Sequence, residues 1–177
     1  EFRVVVDPEK SSYVRGDEAK FTVRGEYLFG APMGDVPAYL LAVRSTTTFV
    51  PKGAEDFSTT DEAFTGDFGD QNLRVSQLLR KDATLDKDGS KTESFRLPMP
   101  GQRGAEEVSF QAEVEDFTHE TVSKTASVVI HPGEFYVGLK KLRERFVGTG
   151  VTLKPEIAAF EPNGARRATI RPTPAPS

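Results

Sequence analysis

The chain has 177 residues, a net charge of −4, no cysteine and no tryptophan, which leaves room for one ordinary domain or a domain plus part of another. Without cysteine there is no disulfide framework, no thiolate zinc site and no thiol nucleophile. The mildly acidic balance disfavours a nucleic-acid partner, because phosphate binding needs clustered Lys and Arg.

In chain order, Phe2–Val6 is a short β-branched strand that Asp7-Pro8 ends. Tyr13–Asp17 reads as a turn. From Ala19 to Leu28 the residues alternate, with Ala19, Phe21, Val23, Gly25 and Tyr27 on one face, the period of a half-buried strand. Gly30–Gly34 is a second turn, and a further strand covers Ala38–Val43, extended to Phe49. The stretch 50–70 is rich in Gly, Asp, Thr and Ser and reads as a long loop pinned by Phe57, Phe64 and Phe68. Asp70–Leu79 reads as a short helix, with Asp70 as N-cap and Leu73, Leu78 and Leu79 on one face. Leu85–Gly89 is a turn in which Asp88-Gly89 supplies hairpin chemistry, and Ser94–Leu97 is a strand. Val108–Phe117 alternates, with Val108, Phe110, Ala112 and Val114 inward. Asp116–Glu120 then turns the chain into a strand at Val122–Ile130. This series of short strands and turn signals predicts an all-β fold: a seven-stranded antiparallel β-sandwich over residues 1–132.

His131-Pro132 breaks the ladder and sets a boundary. Residues 133–177 restart with strand-like runs at Glu134–Leu139 and Val151–Phe160 and a turn at Pro162-Asn163-Gly164. A segment of about 45 residues buries little core alone. The tail is therefore expected to be the opening strands of a second, truncated sandwich, or a cap on the first. Its unpaired edges and uncovered apolar face would make it pack on the first domain or pair with a second copy. The chain opens in a strand-like run without an initiator Met or an export signal, and ends in Pro172–Ser177, so it reads as a piece of a longer polypeptide. No apolar run is long enough to span a bilayer.

Chemistry-bearing residues are sparse. His119 lies in a turn and His131 at a strand end; His119-Glu120 resembles part of a zinc-protease motif, but the second His is missing at the required spacing. Asp82, Asp86 and Asp88 with Gly89 lack the alternate ligands and terminal Glu of a calcium loop, so an Asp-Gly turn is the preferred reading. Asp56, Asp61, Glu62, Asp67 and Asp70 read as a solvated loop, and Lys140, Lys141, Arg143 and Arg145 as a solvated face. No nucleophile elbow or phosphate-binding glycine loop is present. These residues predict no enzyme, no metal and no cofactor.

Four sequence blocks carry a resemblance. Tyr27-Leu28-Phe29-Gly30-Ala31-Pro32 is similar to the Tyr-Leu-Phe-Gly-Ala-Pro signature of the α2-macroglobulin family, above all its bacterial members. Tyr13-x-x-Gly16-Asp17 resembles the turn that precedes the signature's strand. Leu85-Asp86-Lys87-Asp88-Gly89 resembles the family's Leu-Asp-x-x-Gly turn. His131-Pro132-x-x-Phe135-Tyr136-Val137-Gly138-Leu139 resembles the join to the next macroglobulin-like (MG) domain. The similarity spans Phe2 to about Gly164.

The resemblance implies a serial MG-domain protein that traps proteases: a bait segment is cut, the molecule collapses, and a thioester can couple to the attacker. The thioester's Cys-x-Glu-Gln motif is absent here, so this segment would be a non-catalytic scaffold, the third or fourth MG domain, with the tail opening the next. Its partners would be neighbouring MG domains and, through the parent chain, proteases. The location implied is periplasmic or at the cell envelope, with lipid anchoring of the parent common. Within the signature, Gly30 and Pro32 suit a turn, and Tyr27 and Phe29 are expected as anchors on the face of Phe21 and Val23, with Leu28 opposite. Turn chemistry accounts for every residue of it; docking of a neighbouring MG domain is the functional alternative. Two competing classes are a carbohydrate-binding or adhesin-type sandwich, disfavoured by the missing Trp, and a small sandwich hydrolase, for which no convergent site is legible.

Overall fold

The computed structural model describes residues 1–59, 75–99, 104–141, 150 and 155–170. The strands run β1 (Phe2–Pro8), β2 (Ser12–Val14), β3 (Glu18–Tyr27), β4 (Pro37–Thr46), β5 (Phe57–Ser58), β6 (Ser76–Thr84), β7 (Ser90–Arg96), β8 (Glu106–Glu115), β9 (Thr121–His131), β10 (Tyr136–Lys140), β11 (Ile157–Phe160) and β12 (Arg166–Ile170).

Period-two alternation builds the main sandwich. One sheet has the order β1-β3-β7 and faces a second of order β2-β9-β8-β4-β6. Ala19, Phe21 and Val23 of β3 meet Val108, Phe110, Ala112 and Val114 of β8, all without solvent exposure. Leu40 and Ala42 of β4 are equally enclosed. The rings of Phe21 and Phe110 stack across the interface with centroids 4.7 Å apart, and Phe95 stacks on Phe21 at 5.9 Å. Each fully buried Phe contributes about 1.5–3 kcal/mol of transfer free energy, so this stack anchors the core.

The architecture is the expected all-β sandwich; among the described residues it has three plus five strands where seven antiparallel ones were expected, one pair is parallel, and there are several local corrections. β1 continues through Pro8, which pairs with Phe21. Pro is tolerated there because β1 is an edge strand. The first half of the predicted 13–17 turn is β2, which pairs in parallel with β9. Where a helix was expected to end, Ser76–Thr84 is an extended strand; residues 70–74 lie outside the described residues. The cause of the misreading is visible in the register. Ala42 pairs with Leu79 and Val43 with Gln77, so Leu78 is the extra residue of a β-bulge. A bulge leaves two adjacent residues on one side. Leu78 and Leu79 both pack on the core, and the resulting Leu-Leu pair breaks the alternation.

Beyond His131 a smaller sheet forms, of order β12-β11-β10-β5. Its edge strand β5 comes from the chain between β4 and β6, so the two sequence regions interlock. Ala54, Phe57, Ala158 and Phe160 make its buried cluster. Of the aromatics expected to pin the 50–70 loop, Phe57 does so; Phe64 and Phe68 lie outside the described residues.

Candidate functional site

The signature Tyr27–Pro32 forms the hairpin loop that leaves β3. Tyr27 N–H donates to Ala31 O at 2.9 Å and Gly30 N–H to Tyr27 O at 2.8 Å. This closes a three-residue loop whose last position, Gly30, has φ 92°. That left-handed conformation is open to Gly at little cost. Ala31 and Pro32 then run back along β3, with a bridge between Pro32 and Glu26. Met33 N–H donates to Gly25 O at 3.0 Å, and Gly25 N–H donates to Gly89 O at 2.9 Å. The Leu85–Gly89 block thus lies directly against the signature. A Cβ on Gly89 would stand 2.6 Å from Gly25 O and 2.8 Å from Met33 N. Leu85 and Met33, both buried, fill the space beneath.

The side chains of the loop differ from expectation. Tyr27 packs at the core's margin, edge-on to Phe2. Phe29, expected as an inward anchor, is 81% exposed and lies flat on Tyr27 at 5.3 Å, and Leu28 is 63% exposed. The reason is geometric: residues 28–30 are the loop itself, where strand alternation no longer directs side chains. A second hairpin tip, Asp116–Glu120 at the end of β8, brings Phe117 to 6.1 Å from Tyr27. Phe117 is 78% exposed, so Leu28, Phe29 and Phe117 make an apolar patch at one end of the sandwich. Phe117 falls in the expected Asp116–Glu120 turn, and the patch arises because loops from opposite sheets meet there.

The Tyr13-x-x-Gly16-Asp17 block is a structural unit as well. Tyr13 is buried, and its hydroxyl meets both Lys20 O (3.4 Å) and Lys20 N (3.3 Å). Asp17 Oδ2 accepts from Val14 N–H at 3.0 Å, while Gly16 takes φ 86°. Beside it, Arg15 and Arg44 reach the buried carboxylate of Glu106 at 3.2 and 3.5 Å.

The two histidines are not brought together in a shared site. His119 occupies the left-handed position of its turn (φ 64°) and bonds Glu115, which raises its pKa. His131 is buried at the join to the small sheet. Its Nδ1 shares a 2.7 Å hydrogen bond with the Tyr136 hydroxyl, and the Phe49 ring abuts it at 4.7 Å. Burial lowers the His131 pKa and pushes Tyr136 up to about 12. The His131–Tyr136 pair, buried between β9 and β10, is consistent with a joint. Asp88 caps its own turn, accepting from the Ser90 hydroxyl at 2.9 Å and from Ser90 N–H at 3.2 Å, which lowers its pKa. Asp86 pairs with Lys91 at 3.7 Å. Lys140 pairs with Glu156 at 3.1 Å. Asp61, Glu62, Asp67, Asp70, Arg143 and Arg145 lie outside the described residues. Among the described residues no three metal-ligating side chains cluster, and no helix is long and apolar enough to cross a membrane.

Comparison with known proteins agrees with this geometry. The family model for the bacterial alpha-2-macroglobulin MG5 domain matches residues 3–132. The alpha-2-macroglobulin homolog of Nostoc sp. (strain PCC 7120) is 24% identical over 170 residues, covering 92% of this chain but 8% of that protein. Trypsin-activated alpha-2-macroglobulin from Escherichia coli superposes with a TM-score of 0.66 at 21% identity, over 94% of this chain and 12% of its own. Salmonella alpha-2-macroglobulin reacted with methylamine gives 0.66 at 18% identity, over 94% and 11%. The chain therefore spans about a tenth of these relatives' length. The series position is corrected from third or fourth to the fifth domain model. On the match over residues 3–132, the chain belongs to the bacterial alpha-2-macroglobulin MG5 domain family.

Proposed function

We propose that this chain is a non-catalytic scaffold module of a protease-trapping protein of the bacterial alpha-2-macroglobulin type, located outside the cytoplasm in the periplasm or cell envelope. The observation that carries the reading is the family match across the whole first sandwich, in a chain with a tenth of its relatives' length. The E. coli relative is described both as trypsin-activated and as activated by porcine elastase, which ties that protein to proteases. Residues 1–132 act as one module and 133–177 open the next. Any thioester would lie elsewhere in the parent, since this chain has no Cys.

The signature Tyr27–Pro32 has two duties in this reading. Gly30, Ala31 and Pro32 shape the hairpin, and the exposed Leu28 and Phe29 dock a neighbouring MG domain together with Phe117. The same patch supports the second reading, an extracytoplasmic sandwich that binds a ligand of its own, because exposed aromatic clusters mark contact sites.

The test uses the parent protein with trypsin in slight molar deficit. Trypsin activity is followed on a short chromogenic peptide and on a large protein substrate. Trapping predicts that peptide cleavage persists while protein cleavage falls. Equal activity on both substrates overturns the proposal.

A further inference from the structure

The small sheet after His131 takes one of its strands from far upstream. β5 pairs antiparallel with β10, matching Leu139 to Ser58 and Lys140 to Phe57, and Lys141 N–H donates to Asp56 O at 2.8 Å. Phe57 is 6% exposed and meets Phe160 of β11 edge-on at 5.0 Å. The guanidinium of Arg166, on β12, lies 5.3 Å from the centre of the Phe57 ring. Two close approaches make the seat specific for this segment. A Cβ on Gly138 would stand 2.9 Å from Phe57 Cβ, and one on Gly164 would stand 2.5 Å from Lys52 O.

The segment that supplies β5 is itself folded. Ala54 N–H donates to Pro51 O at 3.0 Å and Phe57 N–H to Ala54 O at 2.9 Å, giving two consecutive turns. Gly53 N–H donates to the Glu55 carboxylate at 3.0 Å. At its near end, Thr47 N–H still bonds Ala105 O at 3.2 Å, extending the β4–β8 pairing of the main sandwich. Phe49 then touches both His131 and Tyr136, the last and first residues of β9 and β10. The segment is thus fastened to the main sandwich at Thr47 and to the small sheet at Asp56–Ser58, with the joint packed between.

We propose that segment 47–59 is a strand-donating clamp that fixes the small sheet to the main sandwich, so that in a longer parent the two reorient together as one body. A lone covalent join at Pro132 would let the sheet swing, since contacts across a simple linker leave relative motion as the default. Swinging here would require withdrawing Phe57 from its pocket and breaking the β5–β10 pairing at the same time. A three-stranded remnant would also lose much of its buried cluster, because Ala54 and Phe57 are half of it. The clamp does not depend on whether the parent traps proteases.

The chain has no native cysteine, so Thr125→Cys on β9 and Ala165→Cys beyond β11, both exposed positions, accept two spin labels cleanly. Pulsed electron–electron distance measurement is made on this doubly labelled full chain, with and without Phe57→Ala or Gly138→Val. The second variant keeps Phe57 and only obstructs its seat, at a glycine whose backbone any residue can adopt. Hydrogen exchange of β8 amides reports whether the main sandwich stays folded. The clamp predicts one narrow distance in the parent chain and a broad distribution in both variants. It also predicts exchange at Val137–Lys140 faster by about tenfold or more, with β8 unchanged. Phe57→Leu should restore most of the narrow distance. A narrow distribution that survives Gly138→Val, or a broad one already present without substitution, overturns the clamp. Loss of β8 protection in Phe57→Ala would show that the segment supports the main sandwich itself, which also overturns it as a device joining two independent bodies.

Discussion

Gly30 and Gly89 occupy equivalent places in two hairpin loops of the same kind, yet the structure assigns them different sensitivities to one methyl group. Both have left-handed φ, 92° and 74°. An L-residue pays about 1–2 kcal/mol for that backbone. At Gly30 nothing lies within 4 Å of the added Cβ, so Gly30→Ala should cost only that amount. At Gly89 the same methyl meets backbone atoms, Gly25 O at 2.6 Å and Met33 N at 2.8 Å. Relieving the clash separates the strands and weakens two hydrogen bonds, Gly25 N–H to Gly89 O and Met33 N–H to Gly25 O. Each is worth about 0.5–1.5 kcal/mol net. Gly89→Ala should therefore cost about 2–5 kcal/mol, a large part of a typical domain's 5–15 kcal/mol. Urea unfolding followed by tyrosine fluorescence measures both, as the chain has four Tyr and no Trp. The midpoint should fall in both variants at unchanged slope, and much further for Gly89→Ala. Equal losses, within about 0.5 kcal/mol, would refute the packing argument.

Further outcomes follow from the joint and the patch. Because burial depresses the His131 pKa, the unfolded chain binds a proton that the folded chain refuses once the pH drops below about 6.5. Stability should decline below that pH and level off beneath the folded pKa. His119, raised by Glu115, acts in the opposite sense, so the profile is best measured in a His119→Ala background. His131→Gln should then flatten it, and an unchanged slope would exclude His131 as the source. Glu106→Ala removes the carboxylate that offsets two guanidiniums, although Arg15 keeps its bond to Gly104 O and Arg44 its bond to Ser76 Oγ, and should cost about 3–5 kcal/mol, more than Arg44→Ala, by thermal or urea unfolding. Leu28→Ser with Phe29→Ser should lower this chain's stability by no more than about 1.5 kcal/mol, since both side chains are exposed and the Phe29–Tyr27 stack is the contact removed. In the parent protein the pair should lower the melting temperature or loosen the assembled particle on size exclusion; no change in either would count against docking.

Long strands with clean alternation were legible from the sequence. Phe21, Val23, Phe110 and Val114 sit where a period of two puts them, and the turns at Gly30, Gly89 and Gly164 sit where the glycines announced them. What escaped notice depends on distant partners. β2 is three residues long and exists by pairing with β9; β5 is two residues long and exists by pairing with β10. β12 opens with Arg166 and Arg167, whose charges are matched by Glu156 and Glu161 across the sheet, so it shows no apolar pattern. Leu78 misled because a bulge mimics the adjacency of a helical face. For the signature, the turn chemistry was readable but the outward aim of Phe29 was not, since that depends on how the loop leaves the pleat.

The strand taken from between β4 and β6 also bears on how such chains can be recombined. A crossover at Pro132, where the family match ends, would look like a clean cut between units. It would nonetheless leave Phe57 in one parent's half and the Gly138–Phe160 seat in the other's. Chimeras joined there should fold well only when the two parents agree at both places, so segment 50–59 and the strands Tyr136–Lys140 and Ile157–Phe160 are expected to travel through exchange as one inherited unit despite their separation along the gene.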